Sequence, residues 1–340
     1  MHSKIKLSID VMGGDYGALP IIEGADIFLK NHNDVFFNFY GEINTINKAL
    51  SQFPILAQSS VTIPTTNIVP NDVKPSSVLR SYADSSMRLA LNAAKNGETD
   101  GIVSPGNTGA LMVMAKAFIG TLKNIDRPAM AAVIPSLKKP FIILDVGANI
   151  TCDAEVMSQL AIMGNSYAKI VLNKQLPSIA LLNIGSEAAK GKPEIKRAAQ
   201  MLKNEVNKLN FMGYIEPNNI FLGDIDVVVT DGFSGNITIK TMEGVAHFLK
   251  NTIVQEESRA SLRTKIGLYM AKNLFKKLNS KADHRIFNGG LLLGIDNIVV
   301  KSHGSADAFA SSHAILTAYN AIKHQVNQKI STEIEKFIFE

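Results

Sequence analysis

The sequence contains one cysteine, Cys152, and no tryptophan among its 340 residues. A single cysteine excludes an internal disulfide framework and fits a reducing compartment. No apolar run has the length that spans a membrane, since the run over 110–120 is short and Lys116 interrupts it. The first residues, MHSKIKLSIDVMGG, lack the long apolar stretch of a secretory signal. These absences predict a cytoplasmic protein.

Linkers and repeats are missing as well. No Pro- or Ser-rich segment divides the chain and no short repeat occurs, so we predict a single domain over residues 1–340. The formal net charge of +5 favours anionic partners. The sequence has no zinc-finger spacing, and its aromatic residues are not interleaved with basic ones as in nucleic-acid platforms. We therefore expect no nucleic-acid partner.

Short apolar runs alternate with longer segments of helical pattern, as in crossover units on a mostly parallel sheet. Several of the runs are nearly continuous Val, Ile and Leu, which is typical of strands covered on both faces. The pattern predicts an α/β fold. Its predicted strands are 5–10, 35–40, 101–104, 141–146, 178–184, 227–231 and 298–301. Its predicted helices are 20–31, 85–96, 108–120, 153–172, 192–209 and 307–326.

The segment 259–278 has a different character. Apolar side chains recur there every four residues between basic ones: Leu262, Ile266, Met270, Leu274 and Leu278, with Arg259, Arg263, Lys265, Lys272, Lys276 and Lys277. A basic amphipathic helix can lie on an anionic membrane. The same stripe can pack in a helical hairpin or a dimer interface, and the pattern leaves both open. We predict a helical hairpin over 245–285 that carries this helix.

Six of the predicted strands end in turns rich in glycine and small polar residues. The turns are VMGGD after residue 10, PGNTG after 104, GAN after 146, GS after 184, GFSGN after 231 and SHGS after 301. We expect them to meet at one edge of the sheet, where open α/β folds bind ligands. Glycine lets backbone N–H groups approach an anion, and helices that begin there direct positive dipole ends to the same place. The turns therefore predict a site for a phosphate-like anion.

Other readings of single residues stand beside this prediction. A lone glycine at a strand end is more often a turn residue. We interpret Asp10 and Asp145 as helix caps or loop anchors, and Cys152 as a small buried residue. No GxSxG elbow, Walker A loop or HExxH is present, which argues against the commonest hydrolases, NTPases and metalloproteases. We expect no metal and no redox cofactor.

Taken in order, these turns strongly resemble the phosphate acyltransferase family of bacterial glycerolipid synthesis. The matching segments are IDVMGGDYG, SSMRLA, SPGNTGALM, RPAMAAVIP, LDVGANITC, LLNIGSEAAKG, DVVVTDGFSGNITIKTMEG and FNGGLLLGIDNIVVKSHGSA, and they span nearly the whole chain. The resemblance implies a three-layer α/β/α sandwich with a mostly parallel mixed sheet, similar to isocitrate and isopropylmalate dehydrogenases and to phosphotransacetylases. It also implies a homodimer.

The resemblance further implies an activity. A fatty acyl group would pass from acyl-acyl carrier protein to inorganic phosphate, giving acyl phosphate for phospholipid synthesis. A membrane glycerol-3-phosphate acyltransferase would then consume the product. Because acyl phosphate is a labile amphiphile best released at a membrane, peripheral membrane contact by the basic helix is expected.

Our mechanistic hypothesis assigns roles to individual side chains. Lys190 neutralises the phosphate, Asp231 orients Lys190 or a neighbouring amide, and His303 protonates the leaving thiolate. Backbone N–H groups or amides at Asn149 or Asn183 stabilise the tetrahedral oxyanion. The residues predicted to bind phosphate or the acyl donor are Gly14, Asn107, Thr108, Asn149, Asn183, Ser234, Gly235, Asn236 and Gly304.

Three other functions remain to be weighed. A phosphotransacetylase that uses coenzyme A shares the pantetheine arm, so the turn motifs alone do not separate it from the carrier-protein enzyme. A decarboxylating dehydrogenase of the same fold needs metal-binding aspartates and a nicotinamide site, and we identify neither. A membrane scaffold that only docks acyl carrier protein would leave six glycine-rich turns without a role.

Overall fold

The computed structural model describes residues 4–74, 77–204, 209–273 and 283–337. In these ranges the strands are β1 Ile5–Asp10, β2 Val35–Gly41, β3 Ser60–Pro64, β4 Gly101–Ser104, β5 Ala129–Ile134, β6 Phe141–Leu144, β7 Ser178–Leu182, β8 Asn210–Ile215, β9 Val227–Val229, β10 Gly290–Leu293 and β11 Ile298–Lys301. The helices are α1 Leu19–Leu29, α2 Ile43–Leu50, α3 Pro54–Gln58, α4 Val78–Ser81, α5 Ser86–Lys95, α6 Thr108–Phe118, α7 Ala154–Val171, α8 Pro193–Asn204, α9 Gly232–Arg259, α10 Leu262–Met270, α11 Ala308–Lys323 and α12 Val326–Ile334.

The strands form one mixed sheet in the order β3-β2-β1-β4-β11-β10-β5-β6-β9-β7-β8. Successive side chains along a strand supply two separate cores, one on each face of the sheet. Val227 and Val229 point into a core with α1, α7, α8, α11 and α12. Val228 points the other way, into a core with α5, α6 and the start of α9. The predicted three-layer α/β/α sandwich with a mostly parallel sheet is therefore confirmed.

Strand direction changes within the sheet. Strands β1 to β4, β11 and β5 run one way, because β10 pairs antiparallel with both β11 and β5. β6 pairs antiparallel with β5, and β9, β7 and β8 follow the direction of β6. The turns after β1, β4 and β11 therefore leave one edge of the sheet, and those after β6, β7 and β9 leave the other. The prediction that all six turns share one edge was wrong.

All seven predicted strands are present, and most of their ends lie within two residues of the prediction. Local pattern did not predict β3, β5, β8 or β10. It also did not predict that a helix begins at Gly232, inside the GFSGN segment. The sequence there is rich in glycine and β-branched residues, which favour helix weakly.

The end of α9 and all of α10 stand away from the body of the protein. Residues 244–249 and 251–259 are exposed, and no residue of α10 is buried. The chain turns at Ala260 and Ser261, where the Ser261 hydroxyl accepts from the N–H of Thr264 and caps α10. Residues 274–282 of the predicted hairpin, with Leu274 and Leu278, lie outside the described residues. No helix in the described ranges is long and apolar enough to cross a membrane.

Candidate active site

Turns after β1, β4 and β11 form what we call the first edge, made of residues 11–15, 105–109 and 302–305. Asp10, at the end of β1, anchors it: its carboxylate accepts hydrogen bonds from the Ser104 hydroxyl at 2.6 Å and the Met12 N–H at 3.1 Å. Burial raises the pKa of Asp10 to about 6, although these hydrogen bonds and the Lys301 ammonium oppose the rise. Asp10 is thus a loop anchor, as predicted, and it titrates unusually high.

Glycine allows the turns of the first edge to pack against each other. Gly13 has φ +85°, and a Cβ there would lie 3.0 Å from the Cα of Gly106. The Asp15 N–H donates to the Gly304 carbonyl at 2.8 Å, which ties the first turn to the turn after β11. Gly14 faces the Gly304 carbonyl across the same contact. Gly14 and Gly304 therefore meet, as the phosphate-site prediction requires of them.

Cations gather at the first edge. Lys301, the last residue of β11, donates through Nζ to the carbonyls of Pro105 and Ser302. Burial lowers the pKa of Lys301 to about 8, against the attraction of Asp10 and Asp15. Lys240 of α9 places its Nζ 3.4 Å from Nε2 of His303.

Partial burial lowers the pKa of His303, and the charge of Lys240 acts in the same direction. His303 therefore tends to be neutral at neutral pH, with Nδ1 2.8 Å from the Ser305 hydroxyl. Lys240 also pairs with Glu243 at 2.7 Å, one turn along α9. The first edge thus presents two lysines beside a neutral imidazole.

Asn107 and Thr108 belong to the first edge too. Asn107 caps α6, because its Oδ1 accepts from the Ala110 N–H at 2.8 Å. Its Nδ2 donates to the Asn71 carbonyl at 2.6 Å and holds the loop before α4. The Asn107 side chain is therefore occupied by structural contacts, while Thr108, the first residue of α6, is partly exposed.

Turns after β6, β7 and β9 form the second edge, made of residues 145–149, 183–191 and 230–236. Asp145 organises it: Oδ1 accepts from the N–H groups of Met130, Gly147 and Ala148, and Oδ2 accepts from the N–H and amide of Asn149. This carboxylate is a loop anchor, in agreement with the prediction. Its charge is absorbed by backbone dipoles rather than offered to a ligand.

The first turn of α9 is pressed onto the Asp145 loop. Asp231 caps the helix by accepting from the Ser234 N–H at 2.7 Å. The Gly232 N–H donates to the Asn149 carbonyl at 2.7 Å. A Cβ at Gly235 would lie 1.9 Å from the Asp145 carbonyl oxygen, so only glycine fits there. The positive end of the α9 dipole is thereby fixed at the second edge, beside Asn236, which is exposed.

The two predicted amides at the second edge have no hydrogen left to donate. The Asn149 Nδ2 donates to the Pro128 carbonyl at 2.8 Å and to Asp145 at 2.9 Å. The Asn183 Nδ2 donates to the carbonyls of Gly185 and Lys190 at 3.0 and 3.2 Å. Because an amide nitrogen carries two hydrogens, neither side chain is free to stabilise an oxyanion as we predicted. Both shape loops instead.

Lys190 and Asp231 do not meet. Lys190 pairs with Glu187 at 2.8 Å, and both side chains are more than half exposed. The lysine that reaches the Asp231 carboxylate, at 3.2 Å, is Lys192. Asp231 therefore orients Lys192, and the predicted contact between Asp231 and Lys190 is absent from the described structure.

Helix α9 connects the two edges. It begins at the second edge and runs back over the sheet, so that Asn236 lies beside Gly147 and Lys240 beside His303. These two α9 residues are four apart and share a face, about 6 Å along the axis. The predicted residues thus form two groups at opposite edges of the sheet, and α9 runs from one group to the other. Gly14, Asn107, Thr108, His303 and Gly304 are at the first edge; Asn149, Asn183, Lys190, Asp231, Ser234, Gly235 and Asn236 are at the second.

Cys152 lies next to the second edge and is buried, as predicted. Burial and the nearby charges of Asp145 and Asp231 raise the pKa of its thiol to about 12. It is therefore a thiol and not a nucleophilic thiolate at neutral pH. In the described part of the chain, no group of three or more His, Cys, Asp or Glu residues could hold a metal ion.

Comparison with known proteins agrees with the resemblance carried by the turns. The sequence model of a family described as "Fatty acid synthesis protein" matches residues 5–329. The "Phosphate acyltransferase" of Ehrlichia canis (strain Jake) is 42% identical over 336 residues, covering 98% of this chain and 99% of that one. The chain belongs to the phosphate acyltransferase family. A second member, from Rhodospirillum centenum, is 41% identical over 340 residues and covers 99% of this chain and 94% of its own.

Solved structures show the fold. A phosphotransacetylase from Streptococcus pyogenes has a TM-score of 0.60 at 17% identity and covers 95% of each chain. The EutD phosphotransacetylase from Staphylococcus aureus has a TM-score of 0.57 at 13% identity, with 94% of each chain covered. The predicted similarity of fold between the phosphate acyltransferase family and phosphotransacetylases is confirmed for this chain.

Sequence reasoning missed three lysines in this member of the phosphate acyltransferase family: Lys192, Lys240 and Lys301. Lys301 could have been found, because it ends a predicted strand directly before the SHGS turn. Lys240 could not, since the predicted helical hairpin began only at residue 245 and the contact of Lys240 with His303 depends on the path of α9.

Proposed function

We propose that this protein transfers a fatty acyl group from acyl-acyl carrier protein to inorganic phosphate, forming acyl phosphate for phospholipid synthesis in the cytoplasm. Helix α9 is the observation that supports it most. Its N-terminal dipole end lies at the second edge, and its Lys240 supplies a cation at the first edge. We call the space beside α9 between Asn236 and Lys240 the cleft of the proposed reaction. The N-terminal dipole end and the Lys240 ammonium each attract an anion. Two such positions suit a reaction between phosphate and a donor that itself carries a phosphopantetheine phosphate. Membership of the phosphate acyltransferase family supports the same conclusion.

In the proposed reaction, a phosphate oxygen attacks the thioester carbonyl carbon and a tetrahedral oxyanion forms. Collapse breaks the C–S bond, and the pantetheine thiolate leaves and takes a proton. Phosphate is already anionic near neutral pH, so positioning matters more than deprotonation. The Ser234 hydroxyl and the positive end of the α9 dipole position the phosphate, and Gly235 lets this turn pack on the Asp145 loop. Lys190 lies at the same edge and exchanges its partner Glu187 for the phosphate.

The oxyanion needs a donor other than Asn149 and Asn183, whose amides are occupied. Asn236 is exposed in the first turn of α9, next to the φ +127° backbone of Gly147. We assign the oxyanion contact to the Asn236 amide, because the N–H groups of Gly232, Ser234 and Gly235 already donate to Asn149 and Asp231. The attacking hydrogen phosphate carries the proton that the thiolate needs. His303, an uncharged imidazole near neutral pH beside Lys240, accepts this proton and passes it to the departing sulfur.

The test is a reaction of purified protein with long-chain acyl-acyl carrier protein and radiolabelled phosphate, with acyl-coenzyme A in a parallel tube. Enzyme-dependent labelled acyl phosphate, strongest from the carrier-protein tube, supports the proposal. Product from coenzyme A alone moves the protein to the phosphotransacetylase activity that its fold likeness makes the second candidate. No product from either donor contradicts both.

A second copy of this chain is the proposed partner of α9. Five large apolar side chains on its protruding half are 50% exposed or more: Val245, Phe248, Leu249, Ile253 and Val254. An apolar surface on a helix that lies outside its own core is expected to be buried against a partner. Sedimentation velocity should show a homodimer, and Phe248→Ser with Leu249→Ser should shift it to monomer. An unchanged dimer in that double variant places the interface elsewhere.

Helix α10 is the proposed membrane contact. Leu262, Ile266, Tyr269 and Met270 are exposed, and Arg263 and Lys265 lie between them. Apolar and basic side chains together suit an anionic lipid surface, where a membrane glycerol-3-phosphate acyltransferase could take up the product. The protein should float with phosphatidylglycerol vesicles and not with phosphatidylcholine vesicles. The double variant Ile266→Ser with Lys265→Glu should no longer float and should remain a dimer. If it floats as well as the wild type does, α10 is not the membrane contact.

A further inference from the structure

A cavity of about 400 Å³ lies on the face of the sheet opposite α9. Its walls come from α7, α11, the hairpin between β5 and β6, and the 3₁₀ turn His284–Phe287. It is in the size range of small-molecule sites and is separated from the α9 cleft by the sheet itself. Neither the proposed reaction nor the proposed dimer and membrane contacts use it.

The lining of the cavity is mostly aliphatic. None of the described residues that line it is an Asp, Glu, Lys or Arg. The polar groups are neutral ones, from Tyr167, Thr317 and Asn320, together with two imidazoles, His313 and His324. Burial lowers the pKa of His313, so this ring favours its uncharged form. The surroundings therefore disfavour a charged ligand, which would lose its hydration without gaining a counter-ion.

One polar group in the wall lacks a partner. Tyr167, on α7, is 3% exposed, and its hydroxyl makes no hydrogen bond within the described residues. Burial raises the pKa of this hydroxyl well above its usual value, so it stays protonated and can donate. The hydroxyl oxygen is not fully enclosed and is reached from the cavity, where water or a ligand can accept its hydrogen bond. The Tyr167 hydroxyl therefore has donor capacity for whatever occupies the cavity.

We propose that this cavity binds an uncharged aliphatic molecule with one oxygen function, which accepts a hydrogen bond from the Tyr167 hydroxyl. The cavity has room for about a dozen non-hydrogen atoms, taking the roughly 30 Å³ of one water in the liquid as the unit. A straight-chain alcohol of ten carbons fits this size and chemistry. The site is also next to the catalytic cleft in sequence: Asn288, between cavity residues Phe287 and Gly289, holds the Ser302 hydroxyl and the His303 N–H.

The experiment titrates the full-length protein with 1-decanol, decane and decanoate and measures binding by saturation-transfer NMR and calorimetry. We expect 1-decanol to bind about two- to tenfold more tightly than decane, because one neutral hydrogen bond separates them. Decanoate should bind more weakly than 1-decanol, because no cation faces its carboxylate. The variant Tyr167→Phe keeps the ring and loses no hydrogen bond to another described residue. Its affinity for 1-decanol should fall to its affinity for decane.

Val171→Phe supplies the second variant. Val171 is 39% exposed at the rim, so a larger side chain can fill the mouth without disturbing the core. It should reduce 1-decanol binding at least tenfold, whereas Val61→Phe, at an equally exposed valine on β3, should not.

Equal 1-decanol affinity in the wild type and Val171→Phe would place the ligand elsewhere, including the acyl site of the cleft, and would overturn the proposal. So would the absence of any 1-decanol binding. If Val171→Phe instead turned a dimer into a monomer in sedimentation, the cavity would be an interface between copies and not a ligand site.

Discussion

The two edges of the sheet hold their buried carboxylates in different ways. At the second edge, Asp145 is surrounded by backbone N–H groups and an amide, which fix its loop and absorb its charge. At the first edge, Asp10 has fewer donors and a lysine, Lys301, in its field. Burial raises the pKa of both carboxyls, to about 6 for Asp10, and it lowers the pKa of Lys301 to about 8. Backbone N–H groups and close glycine contacts hold the second edge, whereas the first edge carries two groups, Asp10 and Lys301, whose pKa is shifted toward neutral pH.

Rigidity at the second edge can be tested with glycines in α9. Gly235→Ala should destabilise the protein by at least about 3 kcal/mol or prevent folding, because its Cβ would overlap the Asp145 carbonyl oxygen at 1.9 Å. Chemical unfolding followed by circular dichroism measures the change. The matched control is Gly244→Ala in the same helix, where a Cβ meets nothing within 4 Å. It should stabilise by about 0.5–1 kcal/mol. Similar effects at both positions would show that the close contact does not exist.

The charge of the first edge predicts the next largest effect, which is on catalysis. Lys240→Met should lower kcat/KM about tenfold to a hundredfold, since an interaction with a charged group contributes about 1.5–3 kcal/mol. Lys192→Met at the second edge should change it less than about threefold, because Lys192 only supports the Asp231 cap and is largely exposed. Steady-state kinetics with acyl-acyl carrier protein compare the two. Equal losses would mean that the edges do not differ in function.

The pH dependence of kcat/KM near neutral pH should also arise from groups at the first edge. We expect kcat/KM to fall below about pH 6 as Asp10 takes up a proton, and above about pH 8 as Lys301 loses one. Asp10 supports the cations while ionised, and Lys301 attracts an anion while protonated. Lys301→Arg should remove the upper limb, because arginine stays charged, and Asp10→Asn should remove the lower one. If a limb of the pH profile persists in the variant that should remove it, that limb reports the titration of the phosphate or of another group.

The sequence predicted the strands that lead to the two edges better than it predicted how the edges are arranged. Strands such as β9 and β11 could be predicted because both of their faces are buried and their residues are almost all apolar. The direction of β6 could not, because it depends on β5 and β10 pairing antiparallel, and local composition carries no information on strand direction. The six turns were found, but their division between two edges was not.

Side-chain roles were harder still. The sequence shows that Asn149 and Asn183 follow strands, but it does not show that carbonyls of Pro128, Gly185 and Lys190 already occupy their amides. It also predicted Lys190 as the partner of Asp231. In the structure this contact is made by Lys192, two residues further along the same loop, and Lys190 pairs with Glu187. By contrast, the buried position of Cys152 was predicted from its residue type, and the roles of Asp10 and Asp145 as loop anchors were predicted from their places at strand ends.

A third carboxylate extends the comparison to stability. Asp226, just before β9, accepts from the Lys139 and Lys174 ammonium groups and from Ser178. Although burial opposes it, these contacts lower the pKa of Asp226 to about 2. A carboxyl with a depressed pKa stabilises the fold above its unfolded pKa of about 4, and this stabilisation is lost as the pH falls toward 2. Asp226→Asn should cost about 1–2 kcal/mol at pH 7. The urea midpoints of variant and wild type should converge near pH 2; a constant gap would show that the charge is not responsible.

The smallest effect on stability is expected at Lys190, and there it separates structure from function. Its pair with Glu187 is exposed, so Lys190→Ala should leave the thermal midpoint within about 1 °C of the wild type. If Lys190 gives up Glu187 for phosphate at the α9 end, the KM for phosphate should still rise about tenfold, because a charge-assisted contact is lost. Glu187→Gln is the control: it frees Lys190 without removing its charge and should leave that KM unchanged or lower. Unchanged kinetics in Lys190→Ala would take this lysine out of the second edge and leave its anion site to the helix dipole alone.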